Sequence, residues 1–197
     1  MKGAVPPECV AGERRALDAV DRGDHREALR VLMETYGDAI YGFCLRMVRE
    51  PELAADVHQT VFVQAWEGLG RYSRRSTLRG WLYGIARHRC LDALKSLRRR
   101  QRRFELVEEV PASAQVSTPD TGAEAQLVDG VFASALGRCL GELAPRIRTA
   151  VLLRYNEGFS YTEMSAQCDE RPATLQARVA RALPVLRRCL ESQGLTP

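Results

Sequence analysis

Residues 160–190 read SYTEMSAQCDERPATLQARVARALPVLRRCL, and the fold turns on how they are parsed. Ser160 with Glu163 three residues later has the form of a capping box, in which hydroxyl and carboxylate satisfy the free N–H groups of a helix's first turn. The reading is a short helix, YTEMSAQC, followed by a turn at Asp169, Glu170 and Arg171. Pro172 suits the first position of the next helix, since the N–H it lacks would have no partner there. That helix runs to about Leu190, with Pro184 inside it as an expected kink. Two helices joined by a short turn describe a helix-turn-helix, whose second member enters the major groove of DNA. Thr174, Gln176, Arg178 and Arg181 near its start are side chains that reach base edges and phosphates. The plainer alternative is a helical hairpin that touches no DNA.

Working upstream, Leu136, Leu140 and Leu143 mark a helix ending near Ala144-Pro145. Arg146 to Tyr155 forms another, broken at Asn156-Glu157-Gly158. Before this block lies FELVEEVPASAQVSTPDTGAEAQ, residues 104–126, with five acidic residues, two prolines and neither Lys nor Arg. Such a stretch buries little apolar surface and reads as a linker. A first block precedes it. Asp24 caps a helix carrying Ala28, Leu29, Val31 and Leu32, and Ile40, Phe43, Cys44, Met47 and Val48 continue on one face. Pro51 opens the next helix, whose stripe is Leu53, Ala54, Val57, Val61, Phe62, Ala65 and Trp66. After Gly68 and Gly70, Ser76 or Thr77 caps a long amphipathic helix beginning at Leu78. No sustained alternation or hairpin dipeptide signals a strand. The fold class is therefore all-α: two small helical domains, residues 1–103 and 127–197, joined by a flexible acidic linker.

Net charge is only +4 over the whole chain, but between Arg71 and Arg103 there are twelve Lys and Arg residues and a single acid, Asp92. A stripe this lopsided suits phosphate contact, because each neutralised phosphate releases counterions. Tyr72, Trp81 and Tyr83 are interleaved with it, aromatics of the kind that stack on unpaired bases. Trp81 falls on the apolar stripe and reads as core, which leaves Tyr72 as the freer ring. The plain alternative is a solvated helix face ending in a basic tail.

Other function classes find little support. The six cysteines are scattered without C-x-x-C spacing, so buried reduced thiols are expected rather than a disulfide framework or a zinc site. No metal or cofactor is expected. The three histidines, His25, His58 and His88, form no metalloprotease pattern, and no phosphate loop or nucleophile elbow is present. A catalytic role is not expected. The N-terminus lacks an apolar core, and no apolar run reaches the roughly 18 residues of a membrane span. A cytoplasmic protein without membrane insertion follows as the expectation.

Two segments resemble one family, the bacterial sigma factors of the extracytoplasmic-function type. ADVHQTVFVQAW followed by STLRGWLYGIARHRCLDALKSLRRR looks like the family's promoter-melting domain. LGELAPRIRTAVLLRYNEGFSYTEMSAQCDERPATLQARVARAL looks like its −35-reading domain. The resemblance implies roles. Helix Pro51–Trp66 would dock on the clamp helices of core RNA polymerase through Asp56 and Gln59, and the flap region would meet the second domain. The loop Gly68–Thr77, with Tyr72, Ser73, Arg74, Arg75, Ser76 and Thr77, would hold a base flipped from the −10 element. The helix from Leu78, with Arg79, Arg87 and His88, would melt and grip promoter DNA. Arg171, Thr174, Gln176, Arg178 and Arg181 would meet the −35 element. The acidic linker would thread the polymerase channel, and an anti-sigma factor would hold the free protein. The chain departs from the family at Thr60, where an acid is common, and at Asp169 and Glu170, where Gly and an apolar residue are usual. Asp tolerates the left-handed conformation such a turn needs, while Glu170 is expected to leave a gap. The competing readings are a stand-alone helix-turn-helix regulator, which should carry a receiver or ligand domain, and a helical protein-binding adaptor, which does not explain the clustered arginines.

Overall fold

The computed structural model describes residues 7–105 and 124–195. Its helices are α1 (Pro7–Asp21), α2 (His25–Val48), α3 (Pro51–Leu69), α4 (Leu78–Glu105), α5 (Glu124–Glu142), α6 (Pro145–Val151), α7 (Tyr161–Cys168) and α8 (Pro172–Ser192). A π-helical turn, Leu152–Asn156, widens the end of α6. No strand occurs among the described residues. Most of the expected linker, residues 106–123, lies outside them.

Local chemistry explains the boundaries. The Asp24 carboxylate accepts from the Glu27 N–H at 3.0 Å and starts α2. Pro51 opens α3. Of the two cap candidates for α4, Thr77 serves: its Oγ1 accepts from the Gly80 N–H at 3.0 Å. The first block is an α1–α4 bundle. Ile40, Phe43 and Met47 of α2 are buried with Val61, Ala65 and Leu69 of α3 and Leu78, Leu82 and Ala86 of α4. Each large apolar side chain so buried contributes about 1.5–3 kcal/mol.

The second block packs Leu140 and Leu143 of α5 with Leu152, Leu153, Met164, Leu175, Val179 and Leu186. One expectation is corrected here. Cys139 and Cys189 form a disulfide rather than remaining reduced thiols, tying α5 to α8 across 50 residues; tertiary packing, not spacing, brings them together. Cys44, Cys90 and Cys168 are free and buried, as expected of small apolar side chains. As read from the sequence, Pro184 lies inside α8, which runs through it. Pro184 and Ala180 both lie on the exposed side, where water can serve the carbonyl that the proline leaves free.

The two blocks share one buried core. Tyr83 of α4 stands edge-on between Phe43 of α2 and Phe159 of the second block, ring centroids 5.5 and 5.3 Å away. Arg148 of α6 is buried and gathers helix-end carbonyls. It donates to Met47 O of α2 at 2.5 Å, and to Leu140 O at 2.8 Å and Gly141 O at 2.6 Å of α5. A cation suits C-terminal carbonyls, but burial and the nearby Arg49 and Arg98 push its pKa down to about 10.

Candidate nucleic-acid interface

The capping box is built as read: the Glu163 N–H donates to Ser160 Oγ at 3.2 Å, and the Ser160 N–H donates to Glu163 Oε2 at 2.7 Å. Asp169 ends α7 in the left-handed conformation (φ 52°), and α8 follows after Arg171. On α8 Leu175, Val179 and Ala182 are buried, while Arg171, Thr174, Gln176 and Arg181 are exposed. One face anchors the helix and the other is free to enter a groove. Arg178 differs. Its guanidinium pairs with Glu170 at 2.6 Å, and the two side chains are 20% and 16% exposed. Glu170 is paired, and it holds a side chain that the sequence assigned to DNA.

The loop before α4 is also tied down. Tyr72 is half-buried: its hydroxyl donates to the Ser76 carbonyl, and its ring lies 5.4 Å from that of Trp81. Burial raises its pKa. It is the loop's internal prop rather than its free aromatic, and Trp81 is only partly buried beside it. Arg74 takes a positive φ of 56° and pairs with Asp21 of α1, which raises its pKa. Ser73, Arg75 and Thr77 remain exposed, and Ser76 is half-buried.

Along α4 the expected DNA contacts divide. His88 is exposed, as are Lys95, Arg98, Arg99, Arg100 and Arg102. Arg87 is buried, 7% exposed, close enough to Cys168 of α7 to act on its thiol. Arg79 lies under the second block. Its guanidinium donates to the Glu157 carbonyl and stacks 4.0 Å from the Phe159 ring centroid.

A third surface lies on α3. Asp56, Gln59, Val63 and Trp66, spaced by three and four, all face outward, with Val63 51% and Trp66 47% exposed. Trp66 was expected in the buried stripe; the structure puts it on the opposite face, beside the polar pair. Apolar exposure rimmed by polar groups is a feature that protein-binding surfaces share. Among the described residues no cluster of three metal-ligating side chains occurs and no helix is long and apolar enough to cross a membrane.

Sequence reasoning missed Glu157, Phe159 and Arg148. The first reads as part of a helix break, and nothing local distinguishes it from any loop acid.

Comparison with known proteins matches residues 32–101 to the Sigma-70 region 2 family and residues 133–183 to the Sigma-70 region 4 family. The chain is 30% identical over 174 residues to the RNA polymerase sigma factor CarQ of Myxococcus xanthus, covering 86% of this chain and 92% of the relative. It is 24% identical over 165 residues to the ECF RNA polymerase sigma factor SigK of Mycobacterium sp. strain KMS, 83% of each. In fold it resembles the sigma factor RpoE from Bartonella quintana, solved in complex with the anti-sigma factor NepR. The TM-score is 0.64 at 23% identity, over 81% of this chain and 94% of that one.

Proposed function

This chain belongs to the extracytoplasmic-function RNA polymerase sigma factors, and from that premise we propose how its surfaces divide the work. As a sigma factor it directs core RNA polymerase to promoters and initiates transcription. The family acts in transcription rather than in catalysis.

Residues 127–197 read the −35 element. The observation that carries this is the outward row of Arg171, Thr174, Gln176 and Arg181 on α8, opposite a buried anchoring face. Gln176 suits bidentate contact with adenine, and an arginine suits guanine or phosphate. Arg178 serves chiefly as the brace of Glu170.

Residues 1–103 melt and hold the −10 element. Opening costs a few kcal/mol per unstacked base, recovered by capturing the extruded base. Ser73, Arg75 and Thr77 are the exposed groups for that capture. Tyr72 and Arg74 shape the loop from within, and His88 with the basic end of α4 grips the flanking phosphates. The α3 row of Asp56, Gln59, Val63 and Trp66 docks on the polymerase clamp. The protein acts in the cytoplasm, where its polymerase is.

An anti-sigma factor holds the free protein. The support is the fold-level likeness to a sigma factor solved with one, together with an open groove of about 1140 Å³ lined by Leu136, Leu152, Tyr155, Leu183 and Leu186. An amphipathic helix would fill such a groove.

Run-off transcription with core polymerase tests the reading. The expected result is initiation at a subset of genomic promoters. No stimulation on any genomic promoter would contradict it.

A further inference from the structure

Helix α1 lies before residues 32–101, the stretch matched to the Sigma-70 region 2 family, and it carries none of the residues assigned to DNA or polymerase. Its packing face is built from small residues. Gly12, Ala16 and Ala19 are buried at helical spacing, and a Cβ at Gly12 would fall 2.3 Å from Thr35 Oγ1 of α2. The backbone of α1 therefore lies directly on α2, and close packing leaves it little room to shift. Fixed in this way, α1 and the start of α2 meet the loop before α4 and the first turn of α4 at three points. Asp21, the last residue of α1, pairs with Arg74. Arg74 holds a φ of 56°, a conformation disfavoured for any residue with a Cβ, so the pair offsets local strain. His25 closes on Gly70, where a Cβ would lie 3.1 Å from His25 Cε1. Glu13 reaches α4 itself. Its Oε1 accepts from the Arg79 N–H at 3.3 Å, and its Oε2 accepts from the Tyr36 hydroxyl at 3.4 Å. The Arg79 N–H is one of the first-turn donors that a helix cannot satisfy internally. Thr77 serves the neighbouring Gly80 N–H, so α4 has one cap from its own loop and a second from α1. A carboxylate also suits that end of the helix dipole.

We propose that α1 is a working part of the −10 reader: Glu13 and Asp21 are positioning residues that fix the shape of the loop and the first turn of α4, so that Ser73, Arg75 and Thr77 are presented in one arrangement before a base arrives. Neither carboxylate touches DNA. This role rests on the proposed reading of the loop as the site of base capture. Its sign runs against simple electrostatics. Removing an acid beside a basic loop should by charge alone strengthen contact with phosphates. Removing Asp21 or Glu13 should instead weaken melting, because a loop free to sample other shapes must be ordered as the base binds.

The test uses the full chain with core polymerase on a promoter that the wild type melts. Asp21→Asn and Glu13→Ala each remove one contact, and Asp18→Asn, an exposed acid on the same helix, controls for charge. Circular dichroism melts establish that each variant is folded; Asp21 is exposed, so its variant decides the matter if Glu13→Ala is not. Gel retention counts closed complexes, and permanganate reactivity of thymines around the −10 element counts open ones. Asp21→Asn should lower thymine reactivity about two- to fivefold and Glu13→Ala about three- to tenfold. Closed complexes should stay at or above the wild-type level, the control should match wild type, and a template already melted at the −10 element should restore transcription. Arg74→Gly sharpens the test, because glycine takes a positive φ without help: in that background Asp21→Asn should have no further effect. Thymine reactivity that is level or raised in Asp21→Asn would overturn the proposal. So would a loss matched by Asp18→Asn, or one undiminished in the Arg74→Gly background. Ser73→Ala with Arg75→Ala is measured alongside. Normal melting there refutes base capture by the loop, whereas normal melting in the α1 variants alone refutes only the positioning role.

Discussion

The two surfaces proposed to read DNA differ in how much of their chemistry is free. On α8 the reading side chains face solvent, and only Arg178 is held, by Glu170 within the same block. On α4 and its loop, Arg74 is held by α1, Arg79 by the second block, and Arg87 is buried. The −35 surface is complete within its own helix-turn-helix. The −10 surface is assembled from a loop that other helices shape and a helix that another block covers. A helix that reads intact duplex can be displayed ready-made, whereas a loop that captures unstacked bases needs neighbours to fix its shape.

If the −35 block is self-contained, its own staple should matter most to it. Cys139→Ser removes the bridge that closes a loop across 50 residues. By the chain-entropy account such a bridge stabilises by about 4 kcal/mol. Because the two blocks share one core, chemical denaturation should show a lowered midpoint, with hydrogen exchange rising first in α5 and α8, and reductant should reproduce this in the wild type. Exchange rising equally in the α1–α4 bundle would break the contrast.

Base reading on α8 should come next. Gln176→Ala should cost about 1–3 kcal/mol at cognate promoters and relax one −35 position. Selection from a randomised promoter library checks this, and an unchanged −35 preference would remove Gln176 from the reading set. Arg178→Ala should behave differently from its neighbours. If the guanidinium serves Glu170, the variant should lower the stability of the second block by about 1 kcal/mol and leave the −35 preference as it was. A changed preference would return Arg178 to the DNA surface.

What the sequence disclosed follows the same divide. The capping box at Ser160 and Glu163, the left-handed Asp169 and the outward row on α8 depend on residues a few positions apart, so local pattern is enough to read them. Asp24, Pro51 and Thr77 start their helices for the same reason. Tyr72 misled because its apparent freedom in a loop is cancelled by Trp81 and the Ser76 carbonyl, a contact that exists only when the loop closes onto α4. Trp66 misled because an apolar residue at helical spacing reads as core, although this one lies on the outward face beside Asp56 and Gln59. Cys139 and Cys189, Arg148 and Met47, and Glu157 and Tyr83 meet across 50 or more residues. Without the tertiary fold nothing pairs them.

The central claim is that the loop before α4 captures unstacked bases, and permanganate footprinting of thymines around the −10 element tests it most directly. The variant is Ser73→Ala with Arg75→Ala, which removes exposed loop groups and spares Tyr72, Arg74 and the α4 contacts. Polymerase carrying it should form closed complexes nearly as well as wild type, while thymine reactivity falls about tenfold, equivalent to ~1.4 kcal/mol of lost capture. A template already melted at the −10 element should restore transcription. Normal thymine reactivity, with only a salt-sensitive loss of binding, would show that the loop is a charged connector and would contradict the account.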